Sequence, residues 1–109
     1  VLGLKKRMRL GDRHVFFEVG DAILLLFNPE ATMHAPPQGA LPVPPHGARG
    51  PGHVCFAMED AAIEAMKARC VAQAVPIDAD FHWPGGARSL YVRDPAGNSV
   101  EFAEPKLWF

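Results

Sequence analysis

Residues 29–52 hold seven of the chain's eleven prolines, at positions 29, 36, 37, 42, 44, 45 and 51, with glycines among them. Proline donates no backbone hydrogen bond and its ring clashes with the preceding helical turn. It is also excluded from central strands. The segment is therefore expected to form neither helix nor central strand, and it reads as a long, semi-extended linker. Long connections of this kind often cover functional sites. Whatever regular structure the 109 residues form must lie on either side of it.

Before the linker, three short runs have strand character: "KKRMRL", which is weak and charged, "HVFFEV" and "AILLLFN". Gly20–Asp21 between the last two is a hairpin signal. After the linker, "HVCFAM" reads as a strand and "EDAAIEAMKARCVAQA" as a helix. In that helix Ile63, Met66, Cys70 and Ala74 fall at spacings of three and four and make one apolar stripe. Glu59 and Asp60 stand at its start and Lys67 and Arg69 further on, as the helix dipole favours. Pro76 ends it. "IDADFHW", "ARSLYVR" and "SVEFAE" follow as strands, separated by the turns "PGG" and "DPAGN". The order after the linker is thus β-α-β-β-β. The earlier "RHVFFEVGDAILLLFNP" echoes the later "RSLYVRDPAGNSVEFAEP", a weak internal repeat. The opening "VLGL" reads as the end of a packed helix with its glycine stop. A strand and most of a helix are accordingly expected upstream of Val1.

Bulk properties exclude several classes. The formal net charge of −1 offers no basic surface for nucleic acid or an anionic membrane. The longest apolar run, "AILLLF", is too short to span a bilayer, and no signal-peptide pattern is seen. Cys55 and Cys70 lack C-x-x-C spacing, so they read as reduced thiols of a cytosolic protein, with a single disulfide as the alternative. An apolar content of 49% suffices for one buried core.

"DPAGN" has turn chemistry throughout: Pro95 presets φ, Asp94 bonds the backbone ahead, and Gly97 supplies positive φ. The strand after it raises a question, because Glu101 sits among apolar neighbours. Alternate side chains share a face in a strand. Val100 and Phe102 therefore point one way, and Ser99, Glu101 and Ala103 the other. In "HVCFAM", Val54, Phe56 and Met58 share a face, with His53, Cys55 and Ala57 opposite. One set of faces suits packing on the helix. The other is small residues plus one imidazole and one carboxylate, which describes a lined cavity able to hold a transition metal. The competing reading has Glu101 reaching solvent on an open sheet face, with His53 an ordinary residue at a strand start.

On the motifs "VLGL" (1–4), "GPGHVCFAMED" (50–60) and "RSLYVRDPAGNSVEF" (88–102), the chain resembles the vicinal oxygen chelate superfamily of glyoxalases, bleomycin-resistance proteins and extradiol dioxygenases. The resemblance implies an α+β fold of paired βαβββ modules forming an open, cupped, barrel-like sheet. Residues 1–109 would be a single domain, with 1–28 the remainder of the first module, 29–52 the linker and 53–109 the complete second module. It implies that His53 and Glu101 are metal ligands, and that Tyr91 lines the substrate pocket. Cys55 faces the same cavity, and His46, in the run leading to the site strand, is the best placed of the other histidines to touch substrate. The first module's ligand histidine would lie upstream of Val1. The carboxylate that glyoxalase I takes from the last strand of its first module is here a leucine, Leu24 or Leu26. A set of two histidines and one glutamate survives that departure. "HWPGGA" does not look like the cation- and phosphonate-binding loop of the fosfomycin enzymes.

The expected function is thus a metal-dependent enzyme of the glyoxalase or dioxygenase type. Its small substrate would chelate a divalent ion (Fe, Mn, Zn, Ni or Co) through adjacent oxygens. The alternative is a non-enzymatic antibiotic-binding protein of the bleomycin-resistance type, in which no metal is needed. Family resemblance also implies a homodimer, and the cysteine reading places it in the cytoplasm. The apolar tip formed by Leu107, Trp108 and Phe109 is expected to dock on the protein itself or on a partner.

Overall fold

The computed structural model describes residues 1–109 and forms two compact units, Gly3–Arg49 and Gly50–Phe109, the latter joined by Val1–Leu2. The first is an antiparallel three-stranded meander, β1 (Lys5–Leu10), β2 (His14–Val19) and β3 (Ala22–Phe27), in that spatial order. The β2–β3 turn is the expected one, with Gly20 at φ 56°. A bulge between Lys6 and Met8 breaks the register of β1, which is charged and exposed throughout.

The linker holds one surprise. Pro29–Thr32 forms a single helical turn, α1, where no helix was expected. Proline is tolerated in the first turn, where its missing N–H has no intrahelical partner to lose. Asn28 caps the turn by accepting from the Glu30 amide at 3.1 Å. The chain then folds back, and the His46 amide donates to the Thr32 carbonyl at 2.9 Å. The rest of 29–52 has no helix or strand.

The second unit runs β4 (His53–Ala57), α2 (Asp60–Ala72), β5 (Ile77–His82), β6 (Arg88–Arg93) and β7 (Ser99–Ala103). This is the anticipated β-α-β-β-β order. Its sheet has the spatial order β4-β7-β6-β5, with β4 parallel to β7 and the other pairs antiparallel. One face packs on α2. Ile63 and Cys70 of the helix meet Leu90, Val92, Val100 and Phe102 of the sheet, and Val54, Phe56 and Met66 pack around them. Beyond a single 3-10 turn at Pro105–Leu107, Trp108 and Phe109 are exposed.

The helix ends two residues earlier than its apolar stripe implied. Ala74 does not extend the stripe; it is exposed and left-handed, with φ 57°. The Val75 amide donates to the Cys70 carbonyl and the Ala74 amide to the Val71 carbonyl, at 2.8 and 3.1 Å. That pair of bonds is a Schellman stop, and it brings Val75 rather than Ala74 onto the core.

Helix and sheet are also tied by charge. Arg88, 7% exposed, donates to Asp80 through Nε and Nη2, and reaches Glu64 and Asp60 on α2 through Nη1. Lys67 donates to Asp80 at 2.7 Å. Hydrogen bonds from Arg88 and then Lys67 hold the Asp80 carboxyl far below the usual carboxylate range.

Two outcomes follow from these contacts. Ala74→Gly removes the left-handed strain, and denaturant unfolding should show a gain of about 1 kcal/mol. Asp80→Asn removes the buried carboxylate that engages Nε and Nη2 of Arg88, leaving only the exposed Asp60 and Glu64 on Nη1 to balance the charge, and should cost about 2 kcal/mol at neutral pH. Because the folded-state pKa of Asp80 is depressed, its contribution is present above the unfolded value near pH ~4 and fades as pH falls below it. Urea melts across pH 2 to 7 should accordingly show a shallower acid-side loss in Asp80→Asn than in the wild type.

Candidate functional site

The face of the second sheet turned away from α2 gathers the chemistry. Cys55 is in register with Glu101, and Glu101 with Tyr91, so the three side chains form one row across β4, β7 and β6. Flanking rows contribute His53 beside Ser99, and Ala57, Ala103, Ser89 and Phe81. The alanines keep the floor low around the polar groups.

Glu101 is 4% exposed yet fully engaged. Its Oε1 accepts from the Ser89 hydroxyl at 2.8 Å. Its Oε2 lies 3.1 Å from His53 Nε2. The other imidazole nitrogen, Nδ1, lies 3.2 Å from the Ser99 carbonyl. A carbonyl only accepts, so Nδ1 carries a proton. In the neutral ring Nε2 is then a lone pair facing a carboxylate oxygen, and two acceptors cannot be satisfied without a positive group between them. A second ring proton meets that need, and so does a cation. A histidine whose outer N–H is anchored to a backbone carbonyl, with its inner nitrogen aimed at a carboxylate, has the donor arrangement common in metal centres. The pair supplies two donors; no cluster of three or more His, Cys, Asp or Glu side chains forms.

The turn "DPAGN" does more than reverse the chain. Asp94 accepts from the amide of Asn98 at 2.7 Å and from its side chain at 2.8 Å. Asn98 Oδ1 in turn accepts from the Gly52 amide at 2.7 Å, and the Ser99 amide donates to the Gly52 carbonyl at 2.9 Å. These bonds clamp the start of β4 to the start of β7 and so set His53 beside Glu101. Asn98 and Ser89 were not among the residues anticipated from sequence. Their role depends on a register between strands that no local pattern displays.

Aromatic rings line the same face. His53 and Tyr91 stack at 6.2 Å, Tyr91 and Phe81 at 6.0 Å, and Phe81 and Trp83 lie 5.0 Å apart. The Trp83 indole donates to the Ser89 hydroxyl at 2.8 Å. Burial, then a hydrogen bond to Glu101 and its charge, push the Tyr91 hydroxyl up to about 12. Burial and the charge of Glu101 likewise raise the Cys55 thiol to about 11. Both groups therefore stay protonated at neutral pH and are donors, not nucleophiles.

The structure thus gathers His53, Glu101, Tyr91 and Cys55. His46 belongs to the other compact unit, where its ring lies edge-on to Phe27 at 4.6 Å. His14 stacks on Phe16 at 4.4 Å and accepts from Arg13 at 2.7 Å.

The chain belongs to the glyoxalase/bleomycin resistance protein/dioxygenase superfamily, whose family model matches residues 1–102. It is similar in structure to lactoylglutathione lyase from Agrobacterium tumefaciens, at 43% identity and a TM-score of 0.90, covering 97% of this chain and 78% of that one. More distant likenesses, which show the fold alone, include TioX from Micromonospora sp. ML1 (23% identity, TM-score 0.67, 95% and 80% covered). A glyoxalase/bleomycin resistance protein/dioxygenase from Nocardioides is another (20% identity, TM-score 0.65, 94% and 68% covered). No curated protein matches the chain in sequence. No helix is long and apolar enough to cross a membrane.

The local electrostatics make a direct prediction for the metal-free protein. Alkylation of Cys55 by iodoacetamide at pH 8 should be much slower than for a free thiol, because little thiolate is present. Glu101→Gln removes the charge that raises the thiol, so the rate should increase; mass spectrometry of the Cys55 peptide over time reads it.

Proposed function

We propose that this protein is a metal-dependent enzyme of the glyoxalase/dioxygenase type, acting on a small substrate through two adjacent oxygens. His53 and Glu101 would hold the divalent ion, of the Fe, Mn, Zn, Ni or Co group. The observation that carries this reading is the 3.1 Å approach of His53 Nε2 to Glu101 Oε2 with Nδ1 anchored on Ser99. When bound, such an ion supplies Lewis acidity to the oxygens of the substrate.

The chain's own residues perform the remaining work. Tyr91, kept protonated, offers a hydroxyl donor beside Glu101. Cys55, also protonated, fills space and can donate weakly. The ring line from His53 through Tyr91 to Phe81 gives the apolar part of a substrate a flat wall. Among the activities of the superfamily, likeness to a lactoylglutathione lyase at 43% identity favours isomerisation of the hemithioacetal of a thiol and a 2-oxoaldehyde. Leu24 and Leu26 bring no carboxylate from β3, which favours a donor set of two histidines and one glutamate. His46 is proposed as a substrate contact from the segment 29–52, which would connect a first module to the second, 53–109. The same family resemblance supports a homodimer, and the two free thiols support a cytoplasmic location.

Metal content decides the matter. Protein purified without a histidine tag should contain a transition metal and should show a thermal shift with at least one of Fe, Mn, Zn, Ni or Co. His53→Ala and Glu101→Gln should each weaken binding by about tenfold or more. Protein with no bound metal and no shift would overturn the reading and leave metal-free ligand binding in its place. Thiol hemiacetals, then catechols and acyl-CoA esters, are the substrates to screen.

A further inference from the structure

Glu101 has two oxygens, and the structure spends them differently. The difference traces to a residue on another strand's turn. The Trp83 indole nitrogen can only donate, so in its 2.8 Å contact with Ser89 the hydroxyl oxygen must accept. The Ser89 hydroxyl proton is thereby directed elsewhere, and the partner at 2.8 Å is Glu101 Oε1. The polarity of the chain Trp83→Ser89→Glu101 is fixed at its first member. Ser89 is fully buried and Glu101 nearly so, which makes both bonds short of water competition. The tryptophan is itself held in place: its amide donates to the Ala87 carbonyl at 2.8 Å, its carbonyl accepts from the Gly86 amide at 2.8 Å, and its ring packs at a tilt against Phe81.

We propose that Trp83 and Ser89 are positioning residues that occupy Oε1 of Glu101 and leave Oε2 as the oxygen presented to His53 and to a bound cation. This deepens the reading of His53 and Glu101 as a cation-holding pair and rests on it. A carboxylate without the relay rotates about its terminal bond and presents either oxygen. With the relay it is oriented before any ligand arrives. Tyr91 stands in register with Glu101 on β6, but it is partly exposed, whereas the Ser89 hydroxyl is buried and its proton has nowhere else to go.

The test uses the full chain and Co(II) as the probe. Calorimetric titration should show Ser89→Ala binding Co(II) about tenfold or more weakly than wild type, as for other outer-shell losses. Ser89→Thr, which keeps the hydroxyl, should restore affinity and the visible Co(II) spectrum, and Trp83→Phe should fall between. Thermal melts establish that each variant is folded; if Ser89→Ala is not, Trp83→Phe carries the test, because Trp83 is partly exposed. In metal-free protein the Trp83 indole N–H should exchange slowly with solvent in the wild type and rapidly in Ser89→Ala. Unchanged Co(II) affinity in the folded serine variant, or a freely exchanging indole in the wild type, overturns the proposal. If the wild type binds one of Fe, Mn, Zn or Ni but not Co(II), the same titrations are run with that ion. If it binds neither Co(II) nor any of these, it is the metal reading that fails. The relay is then judged on the His53 Nε2 resonance of the metal-free protein: a shift in Ser89→Ala supports it, and an unmoved signal overturns it.

Discussion

A carboxylate buried to 4% exposure is the constraint around which the second unit is arranged. Taking an ion of that kind out of water costs several kcal/mol unless its lone pairs are met. The sheet meets them from two neighbouring strands. β6 supplies the Ser89 hydroxyl, β4 brings His53 Nε2 to 3.1 Å, and the turn after β5 supplies the indole that directs Ser89. Ser89 is 12 residues from Glu101 across a hairpin and His53 is 48 residues away, so the cost of the buried charge is offset only when β7 is in register with both of its neighbours. A slip of one residue in β7 would turn Glu101 into the helix-facing core and Phe102 out of it. The pattern that seats the carboxylate is therefore the same pattern that seats the core.

The two faces of the sheet divide the labour. On the α2 side, apolar contacts and the Arg88–Asp80 pairing supply cohesion. Arg88 sits one residue before Ser89 in β6, and Glu104 Oε2 accepts from the Arg88 amide at 2.8 Å. The strand that carries the Glu101 donor is thus pinned from behind by charge and from the side by backbone. Support on rigid strands, in place of loops, holds polar groups to the tolerances that coordination chemistry requires.

Much of this was legible in the residues. Strict alternation in "HVCFAM" and "SVEFAE" told which side chains share a face, and so set His53, Cys55 and Glu101 together. Hydrophobic spacing located α2, and turn chemistry located the β2–β3, β5–β6 and β6–β7 turns. What escaped did so for specific reasons. The short helix at Pro29–Thr32 was missed because proline density was read as a bar to helix, although a first-turn proline is compatible with one. Ala74 was assigned to the apolar stripe because the Schellman stop here uses an alanine where glycine is the usual signal. Ser89 and Trp83 carried no mark at all: a serine in a strand and a tryptophan before a turn acquire meaning only from the pairing of β6 with β5 on one side and β7 on the other. Asn98 was read as a turn residue, which it is, while its bond to Gly52 spans the parallel pair and cannot be seen along the chain.

The parallel pairing of β4 with β7 has a consequence for how the protein comes to exist. Its imidazole and carboxylate are 48 residues apart, and the strands bearing them are the first and the last of the unit. Contacts so remote along the polypeptide close late, after local hairpins and helices have formed. During translation β4 leaves the ribosome with an unpaired edge and waits for β7. The pairing of imidazole with carboxylate thus arises late in folding, and a half-made chain presents a lone histidine without the carboxylate that would complete the pair.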